Sequence, residues 1–244
     1  GELYRPMPGV INQLGRISFK AFGRVGTGGI TTVNDVMLYS DASGTMKVLG
    51  QESAAVPGGG SLSGMCSTLL LSNKGRAVVS EGFLASPATR DYGYLISEAG
   101  DGLSVLSREG DSASSGGTFT GHTGKAVVDE SEIIYFPGAL IGVAATKNSG
   151  IWYDESGTVE TFAKEGQNVT GITGDNAWLG NVSATLTAGG VGIGFPAPLQ
   201  NNPDNASVKT ATAKNAAIFG GSVGALEVVA RKGGGIPDLG KLST

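Results

Sequence analysis

Cysteine is almost missing from this chain: Cys66 is the only one in 244 residues, which excludes an internal disulfide framework and any cysteine-rich metal site. Its place in an apolar run makes it a small buried hydrophobe. Histidine is equally scarce. His122 stands alone between Gly121 and Thr123, so a multi-histidine metal centre is excluded, and no Gly-x-Ser-x-Gly elbow supplies it with a nucleophile. It reads as an exposed loop residue. Charged residues make up 16% of the chain, against about a quarter in ordinary globular domains. With a net charge of −4 and no basic cluster longer than Arg231-Lys232, a phosphate-binding surface is not expected. No apolar run approaches the roughly 20 residues that span a bilayer, and no charged-then-apolar leader is present. Long helical periodicity is absent too. The best helix candidate, Thr210 to Ala217, runs directly into Ile218-Phe219 and reads as a loop entering a strand.

What is abundant is glycine, 42 of 244 residues, about twice the usual share. Without a collagen period, that much glycine means many tight turns between short strands. Surface polarity then falls to Ser, Thr, Asn and Gly, a composition common in extracellular bacterial proteins.

Two landmarks recur along the chain. The first is Asn12..Gly15..Ser18-Phe19, with counterparts in Ser72..Gly75..Val78-Val79 and Asp129..Glu132..Tyr135-Phe136, and a fourth near Thr187..Gly190 that is out of step by one residue. The second is a hairpin of two apolar runs around a Ser/Asp/Gly turn. Leu38-Tyr39 to Val48-Leu49 aligns with Leu95-Ile96 to Val105-Leu106, Ile151-Trp152 to Thr161-Phe162, and Ile218-Phe219 to Val228-Val229. Beyond each hairpin stand Glu52, Glu109, Glu165 and Lys232, followed by Ser53, Gly110, Gly166 and Gly233. In the second unit the strands are expected at Cys66 to Leu71, Arg76 to Leu84, Tyr92 to Ile96 and Leu103 to Leu106, separated by Gly, Asn, Asp and Pro clusters.

About four antiparallel strands per repeat of about 60 residues is the arithmetic of a propeller blade. The expected fold is therefore all-β: a β-propeller-like ring of about four antiparallel four-stranded repeats, forming a single repeat domain over residues 1–244 with approximate units 1–58, 59–117, 118–172 and 173–244. A β-solenoid and a two-sheet sandwich are the alternatives. Because Pro6 to Gly9 resembles the closure Val56-Pro57-Gly58, the first residues read as the tail of a preceding unit, and Gly235 to Thr244 as the start of a following one. Pairing of the two termini would close the ring. A start in mid-repeat also points to a leader or further sequence ahead of Gly1.

The unit Asn12-x-x-Gly15-x-x-Ser18-Phe19, with Asn34-Asp35, the Leu38-Tyr39 hairpin and the closure from Glu52 to Pro57-Gly58, resembles the bacterial tandem repeat of pattern NxxGxxAF. Ser18 stands in place of Ala, and the later copies drift at Ser72, Asp129 and Thr187. The resemblance implies an exported bacterial protein, secreted or anchored at the cell surface, with no defined biochemical activity and no catalytic residues to carry over.

Residue chemistry gives the same answer. Asp41 to Thr45 and Asp154 to Thr158 resemble the Asp-box turns of sialidase-like propellers, where Asp accepts backbone hydrogen bonds and Gly takes a positive φ. Paired carboxylates for glycoside hydrolysis would have to come from Asp129, Glu130 and Glu132, or from Glu52, Glu109 and Glu165 brought together about a ring axis. A glutamate repeated before Ser or Gly more simply ends a strand. Asn201 to Asn205 is oxygen-rich but lacks EF-hand spacing and has one carboxylate, so it reads as a solvated loop. No residue is assigned a catalytic, metal-binding or cofactor-binding role, and no cofactor is expected. The reading is a non-enzymatic, exported binding or surface-interaction module for a protein or carbohydrate ligand. Its alternative is a glycan-binding or glycoside-hydrolase-like propeller that uses loop carboxylates and the exposed aromatics Tyr92, Trp152 or Trp178. The Asn12 motif itself is expected to form a turn, with Phe19 packed between sheets.

Overall fold

The computed structural model describes residues 3–64, 68–84, 86–98, 101–169, 178–182, 186–201, 215–233, 235–236 and 240–241. The fold is all-β, and the described chain divides into two compact units, Gly1–Asp111 and Ser112–Thr244. Cys66, residues 202–205 of the oxygen-rich loop, and residues 210–214 of the helix candidate lie outside the described residues.

The first unit holds two antiparallel sheets. One runs in the order β1 (Leu3–Ile11), β2 (Ile17–Gly23), β3 (Val36–Ser40), β4 (Lys47–Gln51). In the other, β5 (Ser61–Leu62) and β6 (Thr68–Leu71) both pair with β7 (Ala77–Leu84), followed by β8 (Tyr92–Ser97) and β9 (Ser104–Arg108). Residues 3–11 are thus the first strand of the first sheet, not the tail of an earlier unit. The expected strands of the second repeat are all present, and the short β5 is the addition.

The second unit repeats the scheme. On β12 (Ile134–Ile141) lie β10 (Thr118–Gly121) and β11 (Val127–Val128), then β13 (Ser149–Asp154) and β14 (Val159–Lys164). On β17 (Ile193–Gln200) lie β15 (Trp178–Leu179) and β16 (Thr187–Ala188), then β18 (Ala216–Ser222) and β19 (Ala225–Arg231). Ala216 and Ala217 thus belong to a strand. The last described segments, β20 (Gly235–Ile236) and β21 (Gly240–Lys241), pair with each other.

In the second unit, proline marks where the outer strand breaks. Pro137 sits in β12 between the stretches paired with β10 and β11, and Pro196 and Pro198 sit in β17 between the stretches paired with β15 and β16. A residue without N–H cannot carry the ladder there. In the first sheet the prolines lie on the outer strand itself, and β1 slips register between Pro6 and Gly9.

One feature recurs in every sheet and a second in three of the four. Between third and fourth strands the register slips at Leu38/Tyr39, Tyr94/Leu95, Ile151/Trp152 and Ile218/Phe219, which leaves Leu49, Leu106, Phe162 and Val229 as the bulged residues. This corrects the hairpin alignment by one residue in the second sheet, where Leu95 and not Ile96 corresponds to Tyr39. The other feature is the Asn12 motif. Asn12 Oδ1 accepts from Leu14 N and Arg16 N at 3.0 Å, and Gly15 turns back at φ 76°. Ser72 Oγ accepts from Arg76 N at 2.9 Å and Asp129 Oδ1 from Ile133 N at 3.0 Å, with Gly75 at φ 90° and Glu132 at φ 70°. A side-chain oxygen at the head of the loop and a left-handed residue near its end define the turn. Glu132 takes a backbone conformation that costs an L-residue about 1 kcal/mol or more. Neighbouring turns within a unit touch: Asn12 Nδ2 donates to Ser72 O at 2.7 Å, and Glu130 N to Gly190 O at 2.9 Å.

The motif is therefore a turn, as its drift in sequence implies. Phe19 departs from expectation. It is half-buried and stacks on Tyr39 of its own sheet, with centroids 5.4 Å apart, whereas its equivalents Val79, Phe136 and Phe195 are fully buried. The first unit's core joins Leu38 and Leu49 of the first sheet to Leu71, Ala77, Val79 and Leu95 of the second. The second unit's core joins Tyr135, Ile151, Tyr153 and Phe162 to Ile193, Phe195, Ala197 and Phe219. Alternation along each strand sends one set of side chains back and the other forward, so the back of one sheet packs on the front of the next.

Candidate functional site

The best candidate for chemistry lies where the fourth strand ends. The backbone N–H groups of Glu52, Glu109, Glu165 and Lys232 donate to the carbonyls of Val36, Tyr92, Ser149 and Ala216 at 2.8 to 3.0 Å. Each acceptor is the first residue of a third strand. The next residue is left-handed in all four: Ser53 at φ 64°, Gly110 at 82°, Gly166 at 78° and Gly233 at 72°. The four positions recognised in sequence are structurally equivalent, and they mark a chain reversal.

Their side chains share a task. Glu52 Oε2 accepts from Val36 N at 3.4 Å, and Glu165 Oε2 accepts from Asn148 N at 3.2 Å and Ser149 Oγ at 3.0 Å. The Glu109 carboxyl accepts from the backbone N–H groups of Asp91 and Tyr92. Each carboxyl thus caps the start of the third strand. Lys232, which can only donate, breaks the series.

Facing them is a second series that the sequence reading missed. The carbonyls of Asp35, Asp91, Asn148 and Asn215 accept from Gly23, Phe83, Leu140 and Leu199 at 2.7 to 2.8 Å, which sets these four residues just ahead of the third strand. The signal was an Asp or Asn 17 or 18 residues before each Glu or Lys. Where the pair is Asn148 and Glu165, the amide satisfies the acid: Asn148 Nδ2 turned toward Glu165 Oε2 stands 3.0 Å away. Where it is Asp91 and Glu109, two carboxyls meet and one proton must lie between them. Burial, then the hydrogen bond and charge of Asp91, push Glu109 up to about 7.

That shift has a sign in stability. Glu109 holds its proton in the fold up to about pH 7 but loses it near 4.5 when unfolded, so the folded state binds more protons in this window and stability falls as pH rises through it. The half-exposed carboxyl is screened, so the effect is about 1 kcal/mol and not the full shift. Thermal unfolding of Glu109→Gln across the same window is expected to lose this slope, because an amide stands in for the shared proton as Asn148 does in the third sheet.

The remaining candidates resolve structurally. Asp129 Oδ2 accepts from Tyr135 OH at 3.2 Å in addition to its turn bond. Glu132 is buried and Glu130 exposed. Asp154 Oδ1 accepts from Gly157 N at 2.8 Å and closes its own hairpin turn, whereas Asp41 Oδ1 accepts from Ile17 N at 2.6 Å and ties its turn to the start of β2, with Gly44 and Gly157 at φ 89° and 90°, so both Asp-box-like turns are structural. His122 is not an exposed loop residue. It is half-buried against Phe119 and Phe136, with centroids 5.7 and 5.9 Å away, and burial pushes it down to about 3. Trp152 is fully buried, and Tyr92 and Trp178 are half-buried, so the three aromatics do not form an exposed platform. The glycines at 138 and 150, opposite each other on β12 and β13, make the room that draws Trp152 inward. Among the described residues no three His, Cys, Asp or Glu side chains gather as a metal cluster, and no helix is long and apolar enough to cross a membrane. An open groove of about 380 Å³ beside the first sheet is lined by Tyr4, Arg5, Phe22, Arg24, Val25 and Asp35.

Over 94% of its length the chain is similar to a glycoside hydrolase family 43 arabinoxylan arabinofuranohydrolase from Bacillus subtilis, solved with cellotetraose, at 11% identity and a TM-score of 0.37. It is similar over 90% to a protein of unknown function from Dyadobacter fermentans DSM 18053, at 13% identity and 0.38, and over 93% to Trypanosoma rangeli sialidase, at 9% and 0.38. It spans 52%, 67% and 38% of those three chains. No curated protein matches it. One family model matches, over residues 3–243, and the chain belongs to that family: DUF7453, a family of unknown function.

Proposed function

We propose that this chain is a non-enzymatic binding module of an exported bacterial repeat protein, its propeller-like sheets stacked back to front within each unit. The observation that carries this reading is the shared fate of Glu52, Glu109 and Glu165, whose carboxyls are occupied in capping the third strand of their own sheets. Carboxylates committed to backbone N–H groups are held by the fold and are not poised on either side of a scissile bond. The groove beside Tyr4, Arg5 and Arg24 supplies a surface with an exposed ring and two cations, suited to a polar ligand on a protein or glycan.

A glycan-active reading has one observation in its favour. Glu109 keeps its proton near neutrality, as a general acid must. Its carboxyl partner Asp91, however, is in hydrogen-bond contact, whereas glycosidases hold their pair about 5 to 9.5 Å apart. Incubation with arabinoxylan, sialylated glycans and aryl glycosides separates the two. The binding module releases no sugar, and a glycan array or a binding screen finds ligands whose retention falls on Arg5→Ala with Arg24→Ala. Sugar release that disappears in folded Glu109→Gln overturns the proposal.

A further inference from the structure

Within each unit the back of one sheet packs on the front of the next, and the same register positions do the packing. Back-face positions Leu38 and Leu49 of the first sheet are 7% and 6% exposed, and their equivalents Ile151 and Phe162 of the third are 0% and 8%. On the fourth sheet the equivalents are Ile218 and Val229, and these are 47% and 62% exposed. The fourth sheet therefore keeps the apolar pattern of a packed back face, but with both of these side chains exposed. Where the third sheet carries Tyr135 and Tyr153, the fourth carries Gly194 and Gly220. Gly194 lines an open depression of about 450 Å³ together with Thr187, Val191, Gly192 and Gly221.

The complementary surface is the front of the first sheet. Phe195 and Phe219 of the fourth sheet are buried against the third, and Phe162 reaches Phe195 with ring centroids 6.4 Å apart. Their equivalents on the first sheet are Phe19 and Tyr39, stacked and half-buried, beside Val48 at 49% exposure. One chain thus offers an aromatic pair at one face and a glycine-floored hollow between apolar side chains at another.

We propose that a second copy of this chain covers the back of the fourth sheet with the front of its own first sheet, its Phe19 and Tyr39 entering the hollow beside Ile218 and Val229. The contact repeats between copies the stacking already present inside each unit: Val229 meets the second copy's Phe19 as Phe162 meets Phe195. It is heterologous, joining unlike surfaces, so it propagates head to tail and does not stop at a symmetric dimer. The surface is independent of the groove proposed for ligand binding.

Sedimentation velocity over a wide concentration range is the first measurement. The chain is expected to form dimers and longer species as concentration rises. Val229→Lys, an exposed position whose folding is checked by circular dichroism, weakens association by roughly tenfold or more, since it sets a charge in an apolar contact. Phe19→Lys does the same from the other surface. In a Cys66→Ser background, mixing chains carrying Val229→Cys with chains carrying Phe19→Cys gives the mixed disulfide under mild oxidation. A chain that stays monomeric at every concentration overturns the proposal. So does a dimer that links Val229→Cys to Val229→Cys and leaves the mixed pair unformed.

Discussion

Trp152→Ala is expected to lower the stability of the protein by about 4 kcal/mol, the upper range for truncating a buried aromatic. The indole is fully buried at the centre of β13. Phe119 meets it edge-on with centroids 4.8 Å apart, and a Cβ at position 138 or 150 would come within 3.1 or 3.0 Å of the ring. Two glycines opposite each other on neighbouring strands therefore form its floor, and no side chain is left to close the cavity that alanine opens. Trp152→Phe is expected to cost under about 1.5 kcal/mol. The indole N–H has no hydrogen-bond partner among the described residues, so phenylalanine also removes a buried polar group. Denaturant unfolding of the two variants checks this. Equal losses would show that ring size, and not the glycine-floored cavity, sets the penalty.

Arg108→Met is expected to cost about 3 kcal/mol, and Arg108→Lys nearly as much. Arg108 is 1% exposed, an unusual place for a guanidinium. Its Nε donates to Arg90 O at 2.7 Å, its Nη1 to Gly59 O at 2.8 Å and its Nη2 to Ser86 Oγ, while the plane lies 4.3 Å over the Phe83 ring. Asp111 accepts from the Arg108 backbone N–H and pairs with Arg90 at 2.9 Å, which supplies the nearby negative charge. Methionine fills the volume but leaves Gly59 O without its donor and Arg90 O with only the Ser86 hydroxyl at 3.0 Å. Lysine restores the charge but cannot reproduce the planar fork that reaches three oxygens at once. Equilibrium unfolding with m-values compared across the variants tests this. A lysine variant as stable as the parent would show that charge alone holds the clasp.

The sequence made the backbone events legible wherever a special conformation needs a special residue. The turn at Asn12 survives as Ser72 and Asp129 because any short side-chain oxygen accepts the same N–H, and the reversal after Glu52 survives as glycine in three copies because φ must be positive there. Burial was less legible. His122 read as a surface group because its neighbours in sequence are small or polar, yet packing on Phe119 and Phe136 half-buries it. Trp152 stands in the apolar run Ile151-Trp152-Tyr153, buried on both faces, where no alternation shows which side is outward, and the space left by glycine carries it inward. The Asp91 and Glu109 pair was harder to read because 18 residues and a hairpin separate its members, and the pairing of β8 with β9 is what brings them together.

The fourth copy of the turn carries a lesson about divergence. Ile11 pairs with Ile17, Leu71 with Ala77 and Val128 with Ile134 around five residues, while Ala188 pairs with Ile193 around four. A deletion has been absorbed wholly inside the loop, since Ile193 still opens its strand at the position of Ile17 and Phe195 still faces the core. Insertions and deletions that fall on these turns leave inward and outward alternation untouched, whereas the same change two residues later would turn the strand inside out. Such turns can gain or lose residues without loss of the fold.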